Sequence, residues 1–308
     1  MLRLETLAPA KVNLVLRVGR LRADGFHDIE SLMVPLDLAD RVRVRVFEGR
    51  PGPVTCRCPD RPDLDGPGNL AALAAEAFRR RFGIADRIEV RVEKRIPVTA
   101  GLGGGSSDAA AVLRCLARAY RVRDARALAE AALEVGSDVP FFLGPGAAWA
   151  RGRGERLRPA RVPPLHLVIA YPRDPALAIR AGDAYRWLDE ARSGGVPAMP
   201  RRRARPFRAT DLANDLAPPC FQRYPTLRAI RGRLEAHGAT GVIMSGSGPT
   251  VFGLFESRSA ARAAMPAMTE RDRGEAVDAF LVRTLRRQPG VTSWKSPRSA
   301  SSRSTRRS

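Results

Sequence analysis

The stretch PVTAGLGGGSSDAAA, residues 97–111, constrains the fold more than any other part of this chain. It joins a loop carrying Gly101, Gly103, Gly104 and Gly105 to an alanine-rich run that is predicted to continue as a helix. Glycines admit positive φ and let a ligand or another backbone come close. Ser106, Ser107 and Asp108 are good N-cap or first-turn residues. A helix N-terminus carries roughly half a positive charge and unpaired N–H groups, so the junction is predicted to cradle a polyphosphate.

Two other phosphate loops are excluded. No lysine follows the glycines, so the stretch is not GxxxxGK[ST], and Ser106 stands where the dinucleotide fingerprint needs its third glycine. Around the loop, period-two patterns predict strands over residues 2–8, 12–18, 42–47 and 88–92, and helical patterns cover 69–82, 107–121 and 125–135. After a proline-rich break at 162–164 come a buried strand (165–172), helices over 181–191 and 225–237, strands over 241–245 and 250–255, a helix over 257–267 and a last strand over 276–283. The order predicts an α+β chain with one domain over 1–160 and a second over 161–285, the latter an open antiparallel sheet with helices on one face.

Composition narrows the partners. No stretch approaches the ~20 apolar residues of a membrane span, and the N-terminus lacks the apolar run of a secretory leader. Four scattered cysteines without zinc-type spacing suit a reducing, cytoplasmic setting. The net charge of +21 raises the question of a polyanionic partner, but seven bases and no acids fall within residues 286–308, which are predicted to form a disordered basic tail. The run RRRARPFR, 201–208, reads as a solvated loop, and no specific nucleic-acid partner is expected. Among 53 basic residues only Lys11, Lys94 and Lys295 are lysine, and only Asn13, Asn69 and Asn214 are asparagine. In this background an ammonium or an amide within a motif marks a place where arginine fails.

The loop resembles that of the galactokinase, homoserine kinase, mevalonate kinase and phosphomevalonate kinase (GHMP) superfamily. Three further segments narrow the resemblance to the 4-diphosphocytidyl-2-C-methyl-D-erythritol kinase family: residues 8–40, with Ala10-Lys11-Val12-Asn13-Leu14 and Asp24-Gly25-Phe26-His27; residues 134–155, with Ser137-Asp138-Val139-Pro140; and the glycine motif in residues 241–255. The resemblance implies the two-domain fold of that superfamily, a ribosomal protein S5 domain 2-like N-terminal domain and a ferredoxin-like C-terminal domain. It implies phosphorylation of the 2-hydroxyl of a cytidine-diphosphate-linked methylerythritol by ATP with Mg²⁺, in the non-mevalonate route to isoprenoid precursors.

Residue by residue, the resemblance makes Asp138 the group that accepts or orients the substrate hydroxyl proton, and Lys11 the cation beside the developing oxyanion. It places Asn69, Leu70, Lys94, Pro97, Gly101, Leu102, Gly103, Gly104, Gly105, Ser106, Ser107 and Asp108 around ATP, with Ser107 a candidate Mg²⁺ ligand. Asn13, Phe26, His27 and Tyr185 fall on the substrate side, Phe26 and Tyr185 stacking on cytosine and His27 meeting the base edge. Arg180-Ala181 stands where a Ser or Thr is usual before the aromatic. A homoserine- or mevalonate-type kinase and a catalytically inactive RNA-binding relative are the competing readings. The first leaves Lys11-Val-Asn13 and Asp24-Gly-Phe26-His27 unexplained, and the second leaves Lys11 and Asp138 without purpose. The expected assembly is a monomer or weak homodimer.

Overall fold

The computed structural model describes residues 1–192, 195, 207–269 and 276–294. The two predicted N-terminal strands are one long bent strand, β1 (Leu2–Leu21), and β2 (His27–Pro51) returns antiparallel to it. With β3 (Val54–Arg57) and β4 (Asp86–Glu93) they run in the order β1-β2-β4-β3. The RVRVRV alternation explains why β2 sits centrally. Val42, Val44 and Val46 are fully buried, while Arg43 and Arg45 reach the opposite face to pair with Glu5, Glu93 and Glu89.

Helices α1 (Leu70–Phe82), α2 (Gly104–Ala119), α3 (Ala125–Val135) and α4 (Val139–Leu143) share one hydrophobic core with this sheet. Ala109, Ala110 and Ala111 of α2 have no exposed surface, so their small side chains let the helix pack closely within it. A ribbon of β5 (Ala148–Gly152) and β6 (Arg156–Pro159) extends the sheet from β2.

The second half contains β7 (His166–Pro172), α5 (Ala181–Ala191), β8 (Ala213–Asn214), α6 (Ala217–Arg223), α7 (Pro225–Ala236), β9 (Gly241–Met244), β10 (Val251–Phe255), α8 (Arg258–Thr269) and β11 (Val277–Arg283). Its antiparallel sheet runs β11-β7-β10-β9. Strand β8 joins the other sheet, parallel to β1 at Val15 and Leu16, so the two halves are hydrogen-bonded together. Phe207, at the end of the arginine-rich run, is buried at 8% exposure between the sheets; residues 201–206 of that run lie outside the described residues.

A register irregularity lies between Pro9 and Lys11, where β1 passes from one core to another. Before it, Leu4 and Ala8 pack into the first core; after it, Ala10, Val12 and Leu14 pack with Leu167, Ile169, Phe252 and Leu254 of the second sheet. The alternation of β1 carries through it, so that Lys11, between Ala10 and Val12, meets the glycine loop at Leu102 and Gly103, and Asn13 faces Gly246.

The chain beyond residue 285 departs from the expected disorder. β12 (Thr292–Ser293) pairs with β1 at Leu4 and Glu5, and the guanidinium groups of Arg3, Arg43 and Arg45 lie 5.4–5.5 Å from the Trp294 ring centre. Arg114 and Arg118 of α2 donate to the carbonyls of Pro289 and Val291. Composition hid this strap, because it docks through one aromatic among arginines and through backbone hydrogen bonds to β1 and α2. Residues 295–308 lie outside the described residues. Trp294→Ala should lower the unfolding free energy by about 1–2 kcal/mol in urea titration; an unchanged midpoint would show that the strap adds nothing.

Candidate active site

Helix α2 begins at Gly104, earlier than the serines suggested, with Gly103 at its N-cap in the left-handed region. The serines are therefore first-turn residues. The first bond closing the helix runs from Ser107 N to Gly103 O, so the N–H groups of Gly104, Gly105 and Ser106 have no intrahelical acceptor. Gly101 and Gly103 carry the positive φ values, 73° and 70°. A Cβ on Gly103 would sit 3.0 Å from Lys11 Cγ and Phe142 Cζ, and one on Gly101 would sit 2.5 Å from Ser245 O. Thr99 is held at φ 56°, a strained value for a β-branched residue, where the chain turns into the loop.

A cavity of ≈ 480 Å³ opens at this loop, and its lining includes every residue expected around ATP except Ser107. Asn69 caps α1 by accepting from Ala71 N, and its amide donates to Leu64 O and, at 3.5 Å, to Cys58 Sγ. Ser107 lies beneath, with no exposed surface and an Oγ that lacks a hydrogen-bond partner.

Lys94 is not a free cation for phosphate. Its Nζ is 2.5 Å from Asp40 Oδ2 and 2.7 Å from Asp108 Oδ2, and all three side chains are at least nine-tenths buried. Asp40 also accepts from the backbone N–H groups of Arg95 and Ile96, which hold the chain where it enters the loop. Burial opposes the Lys94 charge, but Asp108 and Asp40 outweigh it and raise its pKa. Burial, reinforced by the negative charge of Asp40, pushes the Asp108 carboxyl well above the usual carboxylate range against the pull of Lys94. Asp108, expected at the nucleotide, both lines the cavity and belongs to this buried group.

Lys11, 5% exposed, donates from Nζ to Asn13 Oδ1 at 2.8 Å and faces Asp138 Oδ2 at 3.5 Å. Asn13 donates in turn to Ser31 Oγ, which donates to Val15 O. That relay fixes the amide with its oxygen toward the lysine, so Asn13, expected on the substrate side, orients Lys11. Lys11 N donates to Leu102 O, tying β1 to the glycine loop. Asp138 stands at the N-cap of α4 and is 38% exposed. The second glycine turn closes over this pair: a Cβ on Gly246 would lie 3.5 Å from Lys11 Nζ. Asn214 holds that turn, donating to Met244 O and Gly246 O while accepting from Leu216 N. Asn214 had no role assigned from sequence, although the scarcity of asparagine was a signal.

A second cavity, ≈ 390 Å³, is lined by Phe26, His27, Arg153, Tyr185, Arg186 and Asp189 among others. The two expected cytosine-stacking rings are engaged within the protein. Tyr185 stacks on His27, centroids 5.0 Å apart and planes 18° from parallel, while the Arg153 guanidinium lies 4.9 Å from the centre of the half-exposed Phe26 ring. His27 Nε2 is 3.1 Å from both oxygens of Asp189, a partner that sequence reading missed. Burial, then the negative charge of Asp138, pushes the Tyr185 hydroxyl up to about 12. Among the described residues no helix is long and apolar enough to cross a membrane.

Residues 69–146 match the family described as GHMP kinases N terminal domain, and residues 196–273 match GHMP kinases C terminal. The chain is 68% identical to a 4-diphosphocytidyl-2-C-methyl-D-erythritol kinase of Anaeromyxobacter sp. (strain K), over 100% of this chain and 99% of the relative. It is 40% identical to one of Deinococcus radiodurans, over 90% and 92%. A crystal structure of 4-(cytidine 5'-diphospho)-2C-methyl-D-erythritol kinase superposes with a TM-score of 0.71 at 36% identity, covering 91% of this chain and 98% of that one. A homoserine kinase from Cytophaga hutchinsonii, at 18% identity and TM-score 0.66 over 94% and 97%, shares the fold.

The buried charge group makes an asymmetric prediction. Lys94→Met leaves the buried carboxyl groups of Asp40 and Asp108 without their cation and should cost about 3–5 kcal/mol of stability in denaturant titration. Asp108, with its raised pKa, contributes stability that is complete at low pH and is lost as pH rises through the folded-state value. Asp108→Asn keeps an acceptor for Lys94 while removing a charge that burial and Asp40 disfavour, and should cost no more than about 1–2 kcal/mol. Equal losses in the two variants would refute this account.

Proposed function

The chain belongs to the 4-diphosphocytidyl-2-C-methyl-D-erythritol kinase family of GHMP kinases, and from that membership and the site we propose that it transfers the γ-phosphate of ATP to the 2-hydroxyl of 4-diphosphocytidyl-2-C-methyl-D-erythritol, releasing ADP and the 2-phosphate. The observation that carries the proposal is the approach of Lys11 and Asp138 to 3.5 Å, beside the N-terminus of α2 and under the second glycine turn.

Phosphoryl transfer depends mainly on alignment and charge stabilisation. The unpaired N–H groups at the start of α2 would take the polyphosphate, with the adenosine in the cavity beside Asn69 and Leu70. Asp138, partly exposed and on a helix cap, would accept the substrate hydroxyl proton or align that hydroxyl. Lys11, its rotamer fixed by Asn13, would hold a positive point charge beside the attacking oxygen. Asp138 keeps that ammonium neutralised until a phosphate arrives. In the second cavity the cytosine would meet Phe26, Tyr185 and the edge of His27.

Mg²⁺ is part of this reading, and the residues present fit it as a minor ligand set. Ser107 Oγ is an orphaned buried hydroxyl that fits one coordination position, and no cluster of three or more acidic, histidine or cysteine side chains suited to a metal exists among the described residues. When bound, the ion would neutralise phosphate charge, with phosphates and water supplying its remaining ligands. A cytoplasmic setting and a monomeric or weakly dimeric enzyme complete the proposal.

ADP release with ATP, Mg²⁺ and the cytidyl substrate tests it directly. Asp138→Asn should lower kcat by about 10²-fold or more, in the range of a positioned general base. A substrate truncated before its cytosine should be turned over poorly. Wild-type-like turnover in Asp138→Asn would remove Asp138 from the chemistry, and no turnover by a folded, ATP-binding wild type would overturn the assigned substrate.

A further inference from the structure

We infer that Asp189 is a positioning residue that sets the tautomer of His27 and so selects cytosine over uracil; this rests on the functional reading above. Asp189 lies near the end of α5, one turn after Tyr185, so Tyr185 and Asp189 project from the same helical face. Tyr185 stacks flat on the His27 ring and fixes its plane, and Asp189 meets one ring nitrogen within that fixed plane. His27 is 8% exposed, while the Asp189 side chain is 45% exposed.

Both carboxylate oxygens lie 3.1 Å from Nε2. A carboxylate only accepts, so the hydrogen of the neutral ring must sit on Nε2. Nδ1 is then a bare acceptor, and no hydrogen bond to it exists among the described residues, in a side chain that lines the second cavity. An acceptor at that point matches the exocyclic amine of cytosine, which donates. It opposes uracil, whose oxygen at the same ring position also accepts and would place lone pair against lone pair. Without Asp189 the ring could carry its hydrogen on Nδ1, and the discrimination would be lost. Phe26 and Tyr185 cannot supply it, because stacking is tolerant of base identity.

Asp189→Asn tests this, since the amide is isosteric and can serve either tautomer of the ring. The chain has only three histidines, so ¹⁵N-histidine spectra at pH 8 report the tautomer of His27 without substrate. Wild type should show a protonated Nε2 and a bare Nδ1, and the variant a mixture. Calorimetry with CDP and UDP should show a CDP preference that falls about tenfold in Asp189→Asn, the change expected for one hydrogen bond to the base. In the kinase assay KM should rise by a similar factor, with kcat much less affected. CDP binding with an unchanged CDP:UDP ratio and unchanged ring shifts in the variant would overturn the role of Asp189 alone. A folded wild type that binds neither nucleotide would overturn the reading of the substrate site itself.

Discussion

The contact between two glycine turns is the constraint on which the rest of this structure depends. Gly101 lies so close to Ser245 that a single Cβ would be 2.5 Å from its carbonyl oxygen, and Ser245 Oγ donates back to Gly101 O across 144 residues of sequence. Backbone approach at that distance allows no side chain at position 101. It brings the start of α2 beside the turn between β9 and β10, and Lys11 lies between them. Each half contributes one loop, and neither loop alone encloses the lysine.

Holding the two loops together requires supports that are themselves buried and polar. Asn214 ties the second turn to β8, and β8 is hydrogen-bonded to β1, the strand that carries Lys11. Asp40 and Lys94 pin the chain entering the first loop, and Tyr171 on β7 donates to Val98 O from the other sheet. These groups share one logic. Asn214, Asp40 and Tyr171 each satisfy backbone atoms of these loops, Lys94 holds Asp40 in place, and the first-turn N–H groups of α2 are the donors left over. The start of α2 is thus a short stretch of unpaired backbone donors in the midst of paired charges.

The scarce residue types fall where this logic predicts. The two lysines outside the C-terminal stretch are both buried against carboxylates, where a compact ammonium with three donors fits and a planar guanidinium would not. The asparagines orient Lys11, cap α1 and clamp the second glycine turn. Arginine, abundant on the surface, reaches the second cavity through Arg153, which lies over Phe26, and through Arg186.

The order of strands and helices was legible in the chain because hydrophobic periodicity is a local property: RVRVRV reads as a strand and the alanine run as a helix without any distant partner. The glycine loop, Lys11, Asp138 and His27 were legible for a similar reason, since each sits in a contiguous motif. What only the tertiary structure decided are the relations between motifs. Asp189 could not be paired with His27, nor Asp40 with Lys94 and Asp108, because these partners are joined by packing across 162, 54 and 68 positions rather than by spacing. The docked strap ending at Trp294 escaped because its partners, Arg3, Arg43 and Arg45, are presented together only once β1 and β2 have paired. Local sequence determined which elements form and which side chains carry chemistry; long-range packing alone decided which of those side chains are free to act and which are held as scaffold.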